Sequence, residues 1–207
     1  MSKFLWNFER KNNMTIFNQQ KTETLKKFEL AKERNLADKD VIPLCNFINS
    51  LENFYTTSSC AGRIVIIKSE GKKEPQCFIE KWHREVLFDE VKETLSKSDS
   101  DSLIWLKQEG AIFHIICRTL ADAEKLVVLA RNLGWKRTGI QVVKKERVIV
   151  EIISTEHIDV PLIDKGKKLV ENFDDYLKFL VNLTNKKHRK ARKQLAMLEK
   201  QIRIDLK

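Results

Sequence analysis

No Cys-x-x-Cys pair, no Gly-x-Gly-x-x-Gly after an apolar strand, no Walker loop and no zinc-protease helix occurs in the 207 residues. Without the glycine fingerprint, a doubly wound fold with a dinucleotide-type cofactor site is unsupported. Four cysteines, at 45, 60, 77 and 117, lack paired spacing, so neither a zinc cluster nor a redox dithiol is signalled and no metal is expected. In a reducing compartment Cys45 and Cys77 are expected to be small buried or loop hydrophobes, with Cys60 and Cys117 better placed to face a site. No apolar run approaches the ~20 residues of a membrane span. Met1 to Met14 sets Lys3, Glu9, Arg10 and Lys11 around Phe4, Leu5, Trp6 and Phe8, which is not the apolar core of a signal peptide. No membrane partner and a cytoplasmic location are therefore expected. No internal repeat or low-complexity linker is visible.

Hydrophobic residues make up 42% and charged ones 33%, enough for a soluble chain with a sizeable core. A single domain over 1–207 is expected, with a helical N-terminal region at 15–52, an α/β core at 54–170 and a basic helix at 173–205. The net charge is +10, and it is unevenly spread. From Lys186 onward nine basic residues face two acidic ones, a local +7, which leaves +3 for the preceding 185 residues. Nucleic acid is the obvious partner for such a segment, through phosphate contacts and counterion release. The alternative is a solvated face that only aids solubility.

Along the chain, residues 15–34 read as a helix capped by Thr15. Its Lys21, Lys26 and Lys27 allow an RNA-facing arm or, equally, a solvated helix with one edge on the core. Val41, Leu44, Cys45, Ile48 and Leu51 mark the buried stripe of a second helix, with Pro43 in its first turn. Strands are expected at 64–67 and 76–82, joined by a turn from Lys68 to Glu74. A short helix is expected around Glu85–Leu95. Strands at 102–107 and 111–117, flanking Glu109-Gly110, read as a second hairpin. Residues 119–133 form the clearest helix, with Gly134 after its end. Strands at 138–143 and 147–154 and an extended segment through Val160-Pro161-Leu162 follow, then a helix from Asp174 towards Ile204. Strand pairs with interspersed helices indicate α+β, with a mixed or mainly antiparallel sheet, flanking helices and a long basic C-terminal helix.

The densest polar stretch is Tyr55-Thr56-Thr57-Ser58-Ser59-Cys60-Ala61-Gly62-Arg63. Hydroxyls and glycine bind the backbone's own polar groups and favour a loop, here held by the apolar strand that follows. An ordinary Ser/Thr turn with a solvated arginine would have the same composition. The run resembles, however, the Thr-Ser-Ser-Cys-Ser/Ala-Gly-Arg signature of the tRNA wybutosine-synthesising protein 3 family. Further blocks continue the resemblance in the same order: His114-Ile115-Ile116-Cys117-Arg118, Trp135 to Ile140, and Ser154-Thr155 with Asp159-Val160-Pro161-Leu162 and Lys165-Gly166-Lys167. The resemblance spans roughly residues 38 to 190.

The resemblance implies an S-adenosylmethionine-dependent methyltransferase acting on ring nitrogen 4 of the tricyclic guanosine derivative at position 37 of phenylalanine tRNA. It implies a fold other than the common methyltransferase one. Such chemistry needs an in-line methyl group, a proton acceptor and a held, extruded base. On this footing Ser58, Ser59, Gly62, Arg63, His114, Arg118, Thr138, Ser154 and Thr155 are expected at the cofactor. His83 is the candidate proton acceptor, a residue type that titrates near neutrality, with Asp159 beside it as the family's acid before Val-Pro-Leu. His114 could share that role or be a satisfied core histidine. Lys136, Arg137, Lys186, Lys187, Arg189, Lys190, Arg192 and Lys193 are expected on RNA. Trp82 and Trp135 could stack on bases or lie in the core. Phe78 stands where the family has a tryptophan, Arg137-Thr138 where it has Asn-Ser, and Ile153 where an arginine usually precedes Ser-Thr. Two other readings remain: a non-catalytic RNA-binding protein with a phosphate-clamping loop, and a thiol enzyme using Cys60.

Overall fold

The structure, a computed structural model, describes residues 15–69, 77–98 and 101–206. The expected turn around Gly71 lies outside them. Helix α1 (Ile16–Glu33) starts where the Thr15 hydroxyl accepts from the Asn18 N–H at 3.3 Å. Helix α2 (Ile42–Ser50) carries Pro43 in its first turn and buries Leu44, Cys45 and Ile48. Helix α3 is Phe88–Ser96. Helix α4 (Leu120–Asn132) opens on a reciprocal Thr119–Asp122 capping box. Helix α5 (Phe173–Asp205), about 50 Å long at 1.5 Å per residue, buries one stripe from Leu177 through His188 to Ile202.

Strands β1 (Phe54–Cys60), β5 (Ile112–Cys117), β7 (Arg147–Ile153) and β6 (Gly139–Lys144) form one sheet in that order. Strands β3 (Cys77–Trp82), β2 (Arg63–Ser69), β4 (Leu103–Glu109), β8 (Ile158–Asp164) and β9 (Lys167–Lys168) form the other. Every pairing is antiparallel, so the expected α+β class holds.

Two expectations need correction. Strands β4 and β5 are not a hairpin, because β4 pairs with β2 and β8 while β5 pairs with β1 and β7. The chain passes straight through Gly110 from one sheet into the other. It does the same at Ala61-Gly62 and between β7 and β8, so three long bent segments run through both sheets side by side. The signature is also not a loop. Residues 54–60 form β1, where Tyr and Thr suit a pleated surface and β5 supplies the ladder bonds that hydroxyls would otherwise take up.

The crossings fix the glycines. Gly62 sits at φ +95°, a region L side chains rarely adopt, and a Cβ there would lie 2.7 Å from the Glu109 carbonyl oxygen. At Gly110 a Cβ would meet Ser154 Cβ at 2.5 Å and the Glu156 carbonyl oxygen at 2.7 Å. The Ser154 N–H donates to the Ala111 oxygen at 2.9 Å, tying the third crossing to the second.

Helices α2, α4 and the end of α5 pack on Phe54, Phe113, Ile115, Val148 and Val150 of the first sheet. Helix α3 and the start of α5 pack on Ile64, Ile66, Ile104, Leu106 and Leu162 of the second. These helices therefore share one side of the bent sheet. Helix α1 sets Phe17 on Tyr55 and Ile116 on the other side, near the far end of β1. No described helix is long and apolar enough to cross a membrane.

Candidate active site

The first crossing opens a pocket of about 660 Å³, within the range of small-molecule sites. Its walls are Ser59, Cys60 and Arg63 from β1 and β2, residues 35–40 between α1 and α2, and Lys81 and His83 at the end of β3. Asp38 organises it. With its side chain only 8% exposed, Asp38 accepts the Ala61 N–H at 2.7 Å and the Asp40 N–H at 3.1 Å. Its Oδ2 lies 3.3 Å from His83 Nδ1. Arg192 reaches in from α5, donating to Asp40 at 2.5 Å and to the His83 carbonyl at 2.8 Å.

Arg63 gives its Nε–H to Glu109 at 2.5 Å and lies 4.8 Å over the Phe78 ring. Ser59 Oγ is buried with no nitrogen or oxygen partner among the described residues. It lies beside the Cys45 thiol, whose pKa burial raises and the Ser59 hydroxyl partly lowers again. A buried hydroxyl whose only neighbouring partner is a thiol, a weak donor and acceptor, retains capacity for a polar ligand at the pocket wall.

Burial likewise pushes the Cys60 thiol up, so it is a thiol at neutral pH, the reverse of an activated nucleophile. Cys60, Asp38 and His83 offer ligand atoms within 4.8 Å of one another. The Ala61 N–H accepted by Asp38 draws Cys60 to it, whereas no hydrogen bond holds His83 Nδ1 there.

Next to the pocket, across the first sheet, Ser58 Oγ lies 2.8 Å from His114 Nδ1 and His114 Nε2 lies 2.8 Å from Glu151 Oε1. Gln141 donates to the other Glu151 oxygen at 2.7 Å. The register produces this row, since Ser58 faces His114 and His114 faces Glu151. His114 is thus a half-buried residue on the side away from α2, α3, α4 and α5, hydrogen-bonded to both neighbours, and not a core histidine.

The remaining expected residues scatter. Gly62 shapes the first crossing. Arg118 lies at the other end of β5, donating to Asn53 Oδ1 at 2.9 Å and Asn18 Oδ1 at 2.8 Å and covering Phe17, so it pins α1. Thr138 and Ser154 are buried, Ser154 accepting the Glu156 N–H at 3.2 Å. Thr155 follows it in the third crossing, its carbonyl 3.3 Å from His157 Nδ1. Asp159 sits on β8 outside the pocket, 3.2 Å from Lys107. Lys136 and Arg137 are exposed after α4.

In the basic helix, Lys187 and Lys190 hold Glu156 at 3.0 and 2.6 Å, Arg189 pairs with Glu85, and Arg192 with Asp40. Lys186 and Lys193 are exposed and make no ion pair among the described residues. Trp82 and Trp135 belong to the core, Trp135 at 1% exposure. Cys117 is buried too, its pKa pushed up to about 12 by burial, so it faces the core and not a site. Cys77 is exposed.

Sequence reasoning missed Asp38, Lys81, Glu109 and Glu151. Asp38 had a faint signal, an Asp-Lys-Asp before an apolar helix, but that pattern also describes a helix cap. The others are cross-strand partners of signature residues, and only the register shows them.

Comparisons with known proteins agree on one family. The family model described as Methyltransferase TYW3 matches residues 19–204. A Thermococcus sibiricus protein named tRNA(Phe) 7-((3-amino-3-carboxypropyl)-4-demethylwyosine(37)-N(4))-methyltransferase is 39% identical over 188 residues, covering 90% of this chain and 94% of that protein. A Methanocaldococcus jannaschii protein of the same name is 37% identical, covering 86% and 93%. Among solved structures, the PH1069 protein of Pyrococcus horikoshii superimposes with a TM-score of 0.83 at 38% identity, covering 90% and 95%. A hypothetical protein from Aeropyrum pernix gives 0.69 at 28% identity, covering 80% and 96%. With its signature lining the pocket and the family model running through both sheets, this chain belongs to the TYW3 methyltransferase family.

Proposed function

We propose that this protein is a cytoplasmic, S-adenosylmethionine-dependent methyltransferase that modifies ring nitrogen 4 of the tricyclic wyosine-type base at position 37 of phenylalanine tRNA. The observation that carries the proposal is the position of the family signature on a pocket whose wall includes Ser59 and where Asp38 Oδ2 stands 3.3 Å from His83 Nδ1. The names of the relatives supply the reaction and the substrate. Bound in the pocket, S-adenosylmethionine would present a sulfonium methyl group to the ring nitrogen.

The chain's own residues do the rest. Asp38 Oδ2 stands 3.3 Å from His83 Nδ1 without a hydrogen bond between them; its charge favours a proton on Nδ1 and leaves Nε2 to accept the proton from the ring nitrogen. Arg63, fixed through its Nε by Glu109, offers its terminal N–H groups to a carboxylate or a phosphate. Lys39 and Lys81 add positive charge at the rim. Asp159 is not among the residues lining the pocket and holds Lys107 on the neighbouring strand.

The test measures cofactor affinity by titration calorimetry and methyl transfer on tRNA, separately. His83→Ala is expected to lower the maximal rate by ~10²–10⁴-fold with cofactor affinity unchanged. Arg63→Ala should abolish transfer, and Arg63→Lys should rescue poorly because a point charge lacks the guanidinium fork. Wild-type turnover by His83→Ala together with loss in His114→Ala would move the proton acceptor to the Ser58–His114–Glu151 row. A purified wild-type protein that binds no S-adenosylmethionine would overturn the methyltransferase reading.

A further inference from the structure

Helices cover one side of the second sheet, through Ile64, Ile66, Ile104, Leu106 and Leu162. No described element covers the opposite side. An antiparallel sheet can leave one face in water, yet the open face here is not a plain polar one. The register sets its side chains in three rows. Phe78, Ile67, Trp105 and Pro161 are successive partners across β3, β2, β4 and β8. The next row holds Lys81, Val65, Lys107 and Asp159, with Lys81 three residues from Phe78 because the register of β2 and β3 shifts there, and two residues further along lie Arg63 and Glu109. Val65 and Ile67 form a buried floor, while Phe78 remains 39% exposed and Trp105 is half-buried.

Each ring keeps cationic company. The Arg63 guanidinium lies 4.8 Å and the Lys81 ammonium 5.7 Å from the Phe78 centroid, and the Lys107 ammonium 5.4 Å from that of Trp105. The two acids of the face are already taken, Glu109 by Arg63 and Asp159 by Lys107. Lys81 is exposed.

We propose that this open face is the platform on which the anticodon loop of the tRNA lies, with unpaired bases stacking on Phe78 and Trp105 and the backbone passing Lys81 and Arg63. The proposal rests on the tRNA reading above. The cations lie over the rings, so an arriving base displaces them from the ring faces towards its own phosphate, and stacking tolerates any base. Phe78 and Trp105 stand two strand spacings apart, about 9.5 Å between backbones. Two bases stacked on them are splayed from each other, which selects unpaired nucleotides over a duplex whose bases are hidden. Arg63 and Lys81 belong both to this face and to the pocket wall, so a strand lying on the platform runs directly to the pocket. The basic segment from Lys186 onward carries no Phe, Tyr or Trp on which a base could stack. Four of its cations, Lys187, Arg189, Lys190 and Arg192, pair with Glu156, Glu85 and Asp40, as Arg63 and Lys107 do with Glu109 and Asp159 on the face.

The test titrates the full chain into a fluorescently labelled, unmodified anticodon stem–loop of phenylalanine tRNA. Phe78→Leu and Trp105→Leu keep apolar bulk but lose the ring face, and each should weaken binding about 5- to 150-fold. Phe78→Tyr and Trp105→Phe should stay near wild type, which separates stacking from a folding defect. The salt slope should be unchanged in the leucine variants and fall by ~0.7 in Lys81→Gln. Wild-type affinity in both leucine variants, or no binding by the wild-type chain, overturns the platform. Calorimetry with S-adenosylmethionine runs alongside, and a chain that binds the RNA on its rings but not this cofactor would refute the methyltransferase reading alone.

Discussion

Gly110 is the position where the bent sheet leaves no room for even one carbon. A Cβ there would stand 2.5 Å from Ser154 Cβ, 2.6 Å from Ser154 Oγ and 2.7 Å from the Glu156 carbonyl oxygen. Real Cβ contacts do not come this close, so Gly110→Ala must push the second and third crossings apart. The Glu156 oxygen is backbone and Ser154 is buried, so neither can swing away. Overpacking of this kind costs about 1–3 kcal/mol. For a chain of this length each kcal/mol moves the melting midpoint by about 2–4 °C, which puts the expected fall at roughly 2–12 °C. Thermal unfolding followed by circular dichroism reads it directly. Ser154→Gly removes two of the three contacts and keeps the third, so Gly110→Ala should cost less in that background than in the wild type. The coupling measured by this cycle belongs to the close approach itself. A Gly110→Ala chain that melts with the wild type, or an additive pair, would refute the account of the crossings.

Other outcomes follow from the charges. Burial, and Arg192 beside it, hold the His188 pKa below its ordinary value, and the Arg192 Nε–H at 3.4 Å from Nε2 fits a neutral ring. The unfolded chain therefore binds this proton more readily than the folded one. Stability should be full above about pH 6.5 and fall as the pH drops from there through the lowered value. His188→Gln should flatten that stretch of the stability curve, and an unchanged curve would count against it. In the basic helix, the double change Lys187→Gln and Lys190→Gln strands Glu156, whose side chain is 7% exposed. Burial alone would raise the Glu156 pKa, but the two lysines outweigh it and hold it down. Losing them should cost on the order of 3 kcal/mol in denaturant unfolding while leaving the salt slope of RNA binding intact. Lys186→Gln with Lys193→Gln, the outward pair, should do the reverse if the helix touches RNA. A flattened slope in the first double variant would show that those lysines leave Glu156 for phosphate.

The helices were legible because each carries its own signal. Thr119 and Asp122 bracket α4, and the α5 stripe keeps its period from Leu177 to Ile202, about seven turns. The strands were legible as strands but not in their partners. Glu109-Gly110 between two apolar runs is the usual sign of a hairpin, and nothing local distinguishes a turn from a crossing. One trace did exist. Buried positions are even before the break, at Ile104 and Leu106, and odd after it, at Phe113, Ile115 and Cys117. A hairpin does not require that switch, whereas a strand continuing on the same side after an inserted residue does. The polar signature misled in the opposite sense. Its hydroxyl content suits a loop, but pairing with β5 outweighs local preference. The tail misled through its composition, because a count of lysines cannot show that Glu156, Glu85 and Asp40, far apart in sequence, converge on it.

The pocket follows from these crossings. A continuous antiparallel ladder satisfies its own backbone groups and offers a ligand a flat surface. Where the first segment bends at Ala61-Gly62, it leaves the ladder, and its N–H groups turn to Asp38 and to the Cys60 sulfur, at 2.7 and 3.4 Å. The bend thus supplies concavity and draws the Asp38 carboxylate to the pocket, while rigid strands on either side hold Ser59 and Arg63 in register. The same bend sends α2, α3, α4 and α5 to one side, which leaves Ser58, His114, Arg63, Lys81 and Phe78 on the other. Within the signature Ser58 is exposed on that side, while Thr56 bonds Asn49 and Ser59 lies beside Cys45, both on α2. The signature's glycine is fixed by the crossing, and its arginine is the first residue past the bend, where one guanidinium can reach the pocket, Glu109 and the Phe78 ring together.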